Sequence, residues 1–233
     1  MEPFLIALLI ISIILIPIFY ILGKRRSLNI FLRSMLKVGY LFKVTNFKKQ
    51  NPLVKKGGIV FVGDSITQDY NVYEYFSDLL VYNRGIGGDT TSGLLKRLDV
   101  SIFDLNPKTV VLLIGTNDFD LLKSTPNEVY ERIKEIIQEI KEKLPKVKII
   151  LESVYPVNPT ISKLTVGLRN NSDISELNNL LKEIKGVTFI NLYDKLIKDN
   201  YLNPKYTTEG LHINEEGYYL ITNTLKPYLM KTD

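Results

Sequence analysis

No cysteine occurs in the 233 residues. That absence excludes a disulfide framework, a thiolate zinc site and a cysteine nucleophile. Histidine is nearly absent as well, with His212 the single example. One imidazole cannot build a histidine metal site, and no carboxylate cluster has suitable ligand spacing, so neither metal nor cofactor is expected. Acidic residues are missing between Glu2 and Asp64, where ten basic ones occur: Lys24, Arg25, Arg26, Arg33, Lys37, Lys43, Lys48, Lys49, Lys55 and Lys56. The formal charge of +5 therefore belongs to the N-terminal arm, because the remainder holds twenty basic against twenty-four acidic residues. A nucleic-acid protein more often carries its positive charge on the folded domain, so no nucleic-acid partner is expected.

What the arm does contain is an apolar run. Pro3 to Leu22 holds no charge, and its only polar residues are Ser12 and Tyr20. As a helix rising about 1.5 Å per residue, such a run spans roughly 30 Å, the thickness of a bilayer's hydrocarbon. A secretory signal fits less well, since basic charge before the run and a small-x-small cleavage site are both missing. A buried soluble helix also fits poorly with so long an apolar stretch. Residues 1–23 are thus expected to form a single-pass transmembrane anchor, kinked at Pro17. Lys24, Arg25 and Arg26 follow directly, which places the C-terminal domain on the cytoplasmic face by the positive-inside rule; export of a large domain is the alternative. Residues 24–57 read as a basic juxtamembrane segment and linker. Between Leu28 and Phe47 its apolar and basic positions suit either an anionic lipid surface or a helix packed on the following domain.

Residues 58–233 alternate between two patterns. Apolar, β-branched runs at Ile59–Val62, Val81–Asn83, Thr109–Ile114, Val147–Leu151 and Val187–Asn191 read as five buried strands. A capping box at Thr125-Pro126-Asn127-Glu128 opens a helix whose apolar positions run Val129, Ile133, Ile136, Ile137, Ile140 and Leu144. Asn214 reads as the cap of a final helix. Such alternation predicts an α/β fold, a five-stranded parallel sheet covered on both faces in a three-layer α/β/α sandwich. Reactive loops gather at the carboxyl ends of such strands. Neither an internal repeat nor a low-complexity tract interrupts the domain, and oligomeric state is left open.

Three loops follow strands: Gly63-Asp64-Ser65-Ile66-Thr67, Asn83 to Thr91 with Gly85, Gly87 and Gly88, and Gly115-Thr116-Asn117-Asp118. Thr207 to His212 leads into the last helix. Each is ambiguous alone. A serine after a strand is often a turn or cap residue, a lone histidine is often structural, and Asn117-Asp118 suits a turn. The glycine loop lacks the endings of a P-loop and the spacing of a dinucleotide site. The Gly-x-Ser-x-Gly elbow of α/β-hydrolases is absent, because Thr67 stands at its second glycine.

Together and in this order, Gly-Asp-Ser, the glycine loop, Gly-x-Asn-Asp and an acid three residues before histidine resemble the SGNH hydrolases, also called GDSL esterases and lipases. The likeness covers Ile59 to Leu229. It implies a flavodoxin-like fold, Ser65 as nucleophile, His212 as base and Glu209 as the carboxylate orienting it. It also implies an oxyanion hole of the Ser65 and Gly88 backbone amides and the Asn117 side chain. Gly88 equally suits a plain positive-φ position, and Asp64 and Asp118 are expected only to order their loops. The family usually has aspartate where Glu209 stands. Its extra methylene requires the carboxylate to fold back or the loop to shift, unless another acid or a backbone carbonyl orients His212.

The resulting expectation is a membrane-anchored serine esterase acting on acyl esters of lipids or acetyl esters of glycans, envelope sugars if the domain lies outside. An acyltransferase using the same acyl-enzyme and a non-catalytic tethered binding domain are the alternatives. The polar stretch Val157–Ser172 reads as a connecting loop or a substrate wall.

Overall fold

The computed structural model describes the backbone of residues 3–230, and the side chains of that span except residues 3–12, 14, 16, 25 and 29. Two compact units divide at Leu41 and Phe42. A single helix, Pro3–Gln50, begins in the first unit and ends in the second. Among the described residues no helix is long and apolar enough to cross a membrane. The span expected within residues 1–23 falls mainly outside the described side chains and finds no support in the structure. The described part of that helix beyond Leu22 carries Lys24, Arg26, Arg33 and Lys37, charges that are costly inside a hydrocarbon core.

The second unit is built on five parallel strands, β1 (Ile59–Gly63), β2 (Val81–Gly85), β3 (Thr109–Leu113), β4 (Lys148–Glu152) and β5 (Thr188–Ile190), in spatial order β2-β1-β3-β4-β5. All five strands read from the sequence are present, with ends moved by one or two residues. Alternate residues of each strand face opposite layers. Val60, Val62, Val110, Leu112, Ile149 and Leu151 pack with Val129, Ile133 and Ile140 of helix Pro126–Lys143 and Leu177 of helix Asn171–Lys182. Ile59, Phe61, Val111, Leu113 and Ile150 pack with Tyr70, Phe76, Tyr218, Ile221 and Leu225, the last three from helix Glu215–Leu229. Both faces are thereby covered, which is why the strands are apolar throughout.

Helix starts follow their local chemistry. The Thr125 hydroxyl accepts the Glu128 amide, and the Glu128 carboxylate accepts the Thr125 amide at 2.8 Å. Asn214 Oδ1 accepts the Gly217 amide at 3.1 Å and caps the last helix. The strand order reverses between β1 and β3, and the crevice outside their carboxyl ends is the natural site for a ligand.

The second unit begins at Phe42. Phe47 is buried with the Arg84 guanidinium carbon 4.5 Å from its ring centroid. Asn51 is buried; its Nδ2 donates to Val100 O at 2.7 Å and Asp104 Oδ2 at 3.0 Å, while its Oδ1 accepts Arg84 Nη2 at 3.0 Å. Phe47 and Asn51 thus pack onto the domain, while Phe42, Lys48, Lys49 and Leu53 beside them stay exposed. Asn51→Ala strips one partner from a buried guanidinium and should cost about 1–3 kcal/mol. Thermal unfolding is expected to show a midpoint lowered by about 5 °C.

Candidate active site

The first loop leaves β1 at Gly63 and turns at once into helix Ser65–Asp69, whose N-cap is Asp64. Asp64 Oδ1 accepts the Ile66 amide at 3.0 Å, which fixes the turn and presents Ser65 in the first helical position. Ser65 Oγ lies 3.0 Å from His212 Nε2. His212 Nδ1 in turn lies 3.2 Å from Glu209 Oε1. The structure thus brings together Ser65, His212 and Glu209, three residues of two loops far apart in the chain. The His212 and Glu209 side chains are 38% and 29% exposed, leaving the relay open to an incoming molecule.

Glu209 solves its length problem by folding back. Its Oε1 accepts the Leu211 amide at 3.1 Å as well as the His212 amide. The same carboxylate therefore caps its own turn and meets the imidazole, which absorbs the additional methylene. Thr207 Oγ1 supports that turn from below by accepting the Gly210 amide at 2.9 Å.

The second loop is held against the first. Gly85 ends β2 where helix Ser65–Asp69 crosses it, and a Cβ there would collide with the Gln68 backbone. Gln68 Oε1 accepts the Gly87 amide at 3.1 Å, and Ile86 donates to Gly63 O at 3.1 Å. Gly88 has φ of 73°, so its conformation favours glycine. Among the described residues, the Ser65 and Gly88 amides donate to no backbone or side-chain acceptor. Asn117, from the third loop, is 5% exposed; its Nδ2 donates to Asp89 O at 2.9 Å and its Oδ1 accepts Arg169 Nη2 at 2.6 Å.

Several residues that order these loops carry little or no sequence signal. Arg97 donates through Nε to Asp89 Oδ2 at 2.7 Å, through Nη1 to Arg84 O and Ser101 Oγ at 2.8 Å each, and through Nη2 to Gly63 O at 2.9 Å. Its only sequence hint is a charge set among Leu94, Leu95 and Leu98. Asp118 accepts the Thr91 amide at 3.0 Å and Arg132 Nη2 at 3.1 Å, so it orders the loop as its sequence position suggests. Burial pushes the Asp118 and Asp89 carboxyls upward, opposed by their hydrogen bonds and by Arg132 and Arg97 respectively. Among the described residues, no group of three or more histidine, aspartate or glutamate side chains could hold a metal ion.

Two buried carboxyls lie beneath this constellation. Burial pushes Asp64 up to about 7 against the Ile66 amide, and its Oδ2 has no partner. Burial also pushes Glu152, at the end of β4, up to about 7; the Tyr155 hydroxyl donated to it opposes the shift, and Asp64 adds to it. Their ordinary values of 3.8 and 4.5 lie lower, so the folded chain holds more protons than the unfolded chain between these values and about 7. The associated stabilisation is complete at the acid end and is lost as pH rises to about 7. Glu152→Gln keeps an acceptor for Tyr155 and removes the charge. Melting curves at pH 5 and pH 8 are expected to show a midpoint for Glu152→Gln raised more at pH 8 than at pH 5, by at least about 3 °C. An equal change at both pH values would remove the titration from the account.

The GDSL-like Lipase/Acylhydrolase family model matches residues 61–220, which include the loops of Ser65, Gly88, Asn117 and His212. Platelet-activating factor acetylhydrolase IB subunit alpha2 of Rattus norvegicus is 29% identical over 76% of this chain and 78% of its own length. The N-acylneuraminate cytidylyltransferase of Escherichia coli O18:K1:H7 is 31% identical over 76% of this chain but only 42% of its own. Among solved structures, a Streptococcus pneumonia protein provisionally described as a platelet activating factor is 31% identical, with a TM-score of 0.79 over 85% of this chain and 96% of its own. The lipase/acylhydrolase of Enterococcus faecalis is 25% identical, with a TM-score of 0.62 over 77% and 100%. With its motif order, its sheet and this match over most of its length, the chain belongs to the GDSL-like lipase/acylhydrolase family, the SGNH hydrolases, and is an esterase of that type.

Proposed function

We propose that the chain cleaves acyl or acetyl esters through an acyl-enzyme on Ser65. The observation that carries this reading is the continuous line from Glu209 through His212 to Ser65, at 3.2 and 3.0 Å. A serine hydroxyl attacks a carbonyl carbon well only if a base takes its proton as the new bond forms. In this reading Ser65 Oγ bonds to the ester carbon while His212 Nε2 takes the proton, and Glu209 faces the imidazolium at Nδ1. The tetrahedral oxyanion receives hydrogen bonds from the Ser65 and Gly88 amides and Asn117 Nδ2. Collapse breaks the bond to the leaving alcohol oxygen, which takes the proton from His212. Water then attacks the acyl-enzyme, again giving its proton to His212, and the acid leaves as Ser65 regains its hydrogen.

The substrate we favour is an ester at a membrane surface, a short acyl group on a phospholipid-like molecule, with acetylated glycan the other source of the same bond. Relatives named as platelet-activating factor acetylhydrolases support an acetyl ester on a lipid. The apolar run of residues 1–23 and the basic residues after it support an anchor, with the catalytic domain on the cytoplasmic face. That attachment rests on composition and charge order.

The test is hydrolysis of p-nitrophenyl acetate and longer p-nitrophenyl acyl esters by the full chain. Ser65→Ala and His212→Ala are each expected to lower kcat by about 1,000-fold or more. Glu209→Ala is expected to cost less, since Thr207 Oγ1 still holds the turn through the Gly210 amide, and all three proteins should melt near the parent. Turnover by the parent that survives Ser65→Ala would contradict the reading.

A further inference from the structure

The Asn117 amide can donate toward the reacting ester only in one of its two flipped orientations. In the observed one, Oδ1 accepts a 2.6 Å hydrogen bond from Arg169 Nη2, and Nδ2 gives one hydrogen to Asp89 O at 2.9 Å. One Nδ2 hydrogen remains. The opposite flip would set two oxygens against each other at Asp89 and point the amide hydrogens at a guanidinium, a double mismatch in a buried place.

Arg169 is itself locked. It is 6% exposed, and its Nε donates to Thr116 O at 3.0 Å, the residue immediately before Asn117. Its Nη1 donates to Val166 O at 2.8 Å and lies 3.5 Å from Asp120 Oδ2. One planar group thus grips both the backbone and the side chain of the same short loop, a task suited to the rigid fork of arginine. Arg169 lies in the polar stretch that the sequence presents as a connecting loop or a substrate wall. That stretch also reaches the histidine loop, where Asn158 donates to Gly210 O at 2.7 Å.

We propose that Arg169 is a positioning residue of the esterase. It selects the flip of the Asn117 amide that leaves one hydrogen for the oxyanion, and its charge polarises that amide through Oδ1. The inference rests on the acyl-enzyme reading above. Arg169 touches no reacting atom, and its main effect on turnover passes through Asn117.

A double-mutant cycle on the full chain tests this. Arg169→Gln and Arg169→Lys are each made with Asn117 present and with Asn117→Ala, and kcat and KM for p-nitrophenyl acetate are measured beside the melting curve. With Asn117 present, Arg169→Gln is expected to lower kcat by about 30- to 100-fold, approaching the loss of one oxyanion donor, while KM stays within about twofold. Arg169→Lys keeps the charge but cannot span Thr116 O and Asn117 Oδ1 together, so a smaller loss of kcat is expected. In the Asn117→Ala background either change should alter kcat by less than about threefold. The same fold-loss in both backgrounds would show a general structural role and overturn the proposal, as would an unchanged kcat with Asn117 present. If the glutamine variant fails to fold, the lysine pair decides by the same comparison. A parent without Ser65-dependent turnover would instead overturn the esterase reading, a result separable from any difference among the Arg169 variants.

Discussion

The buried Arg97–Asp89 pair holds the site's loops in register. The two side chains are 0% and 2% exposed, so each charge has lost its water and depends on the other. Besides Asp89, Arg97 binds Gly63 O at the end of β1 and Arg84 O within β2. It therefore joins the strand that delivers Ser65 to the strand that delivers the glycine loop. Asp89 passes the constraint onward, because its own carbonyl accepts Asn117 Nδ2. The loops after β1, β2 and β3 become one assembly through this pair, which stands behind the site. An apolar residue at position 97 would leave Asp89 buried and unpaired, the costlier outcome for a broken ion pair.

That arrangement contrasts with the other side of Ser65. His212 and Glu209 are partly exposed, and their loop is held by short-range hydrogen bonds to Thr207 and Glu209 and by the Asn158 amide on Gly210 O. Preorganised donors around the site of developing charge act most strongly when they need not move during the reaction. A base that must take and return a proton, and admit water for the second half of the cycle, benefits from access. The division matches the chemistry each side is asked to perform.

Much of this was legible in the sequence for identifiable reasons. The strands declared themselves because both faces of the sheet are covered, leaving unbroken runs such as Thr-Val-Val-Leu-Leu at Thr109–Leu113. Thr125 and Glu128 marked a helix start because capping is local chemistry between residues three apart. Ser65, Asn117 and His212 stood out through the order of their motifs. Arg97 and Arg169 did not, because their partners lie in other loops and a lone arginine in a polar or amphipathic stretch normally faces water. The packing of Phe47 was legible only as one of two readings, because basic and apolar residues interleave there in a way that suits a lipid surface as well as a packed helix, and its partner Arg84 lies far along the chain. The longer side chain of Glu209 looked like a geometric difficulty, which its backbone contacts resolve.

The central claim is that Ser65 carries the acyl group, with His212 as the base. Rapid mixing of the full chain with p-nitrophenyl acetate, followed by acid quench and mass analysis of its peptides, tests it most directly. One acetyl group is expected on Ser65 in the parent, forming with the first burst of p-nitrophenol and failing to form at that rate in His212→Ala. Ester turnover with no acetyl group on Ser65, or with the acetyl group on another residue, would contradict the account.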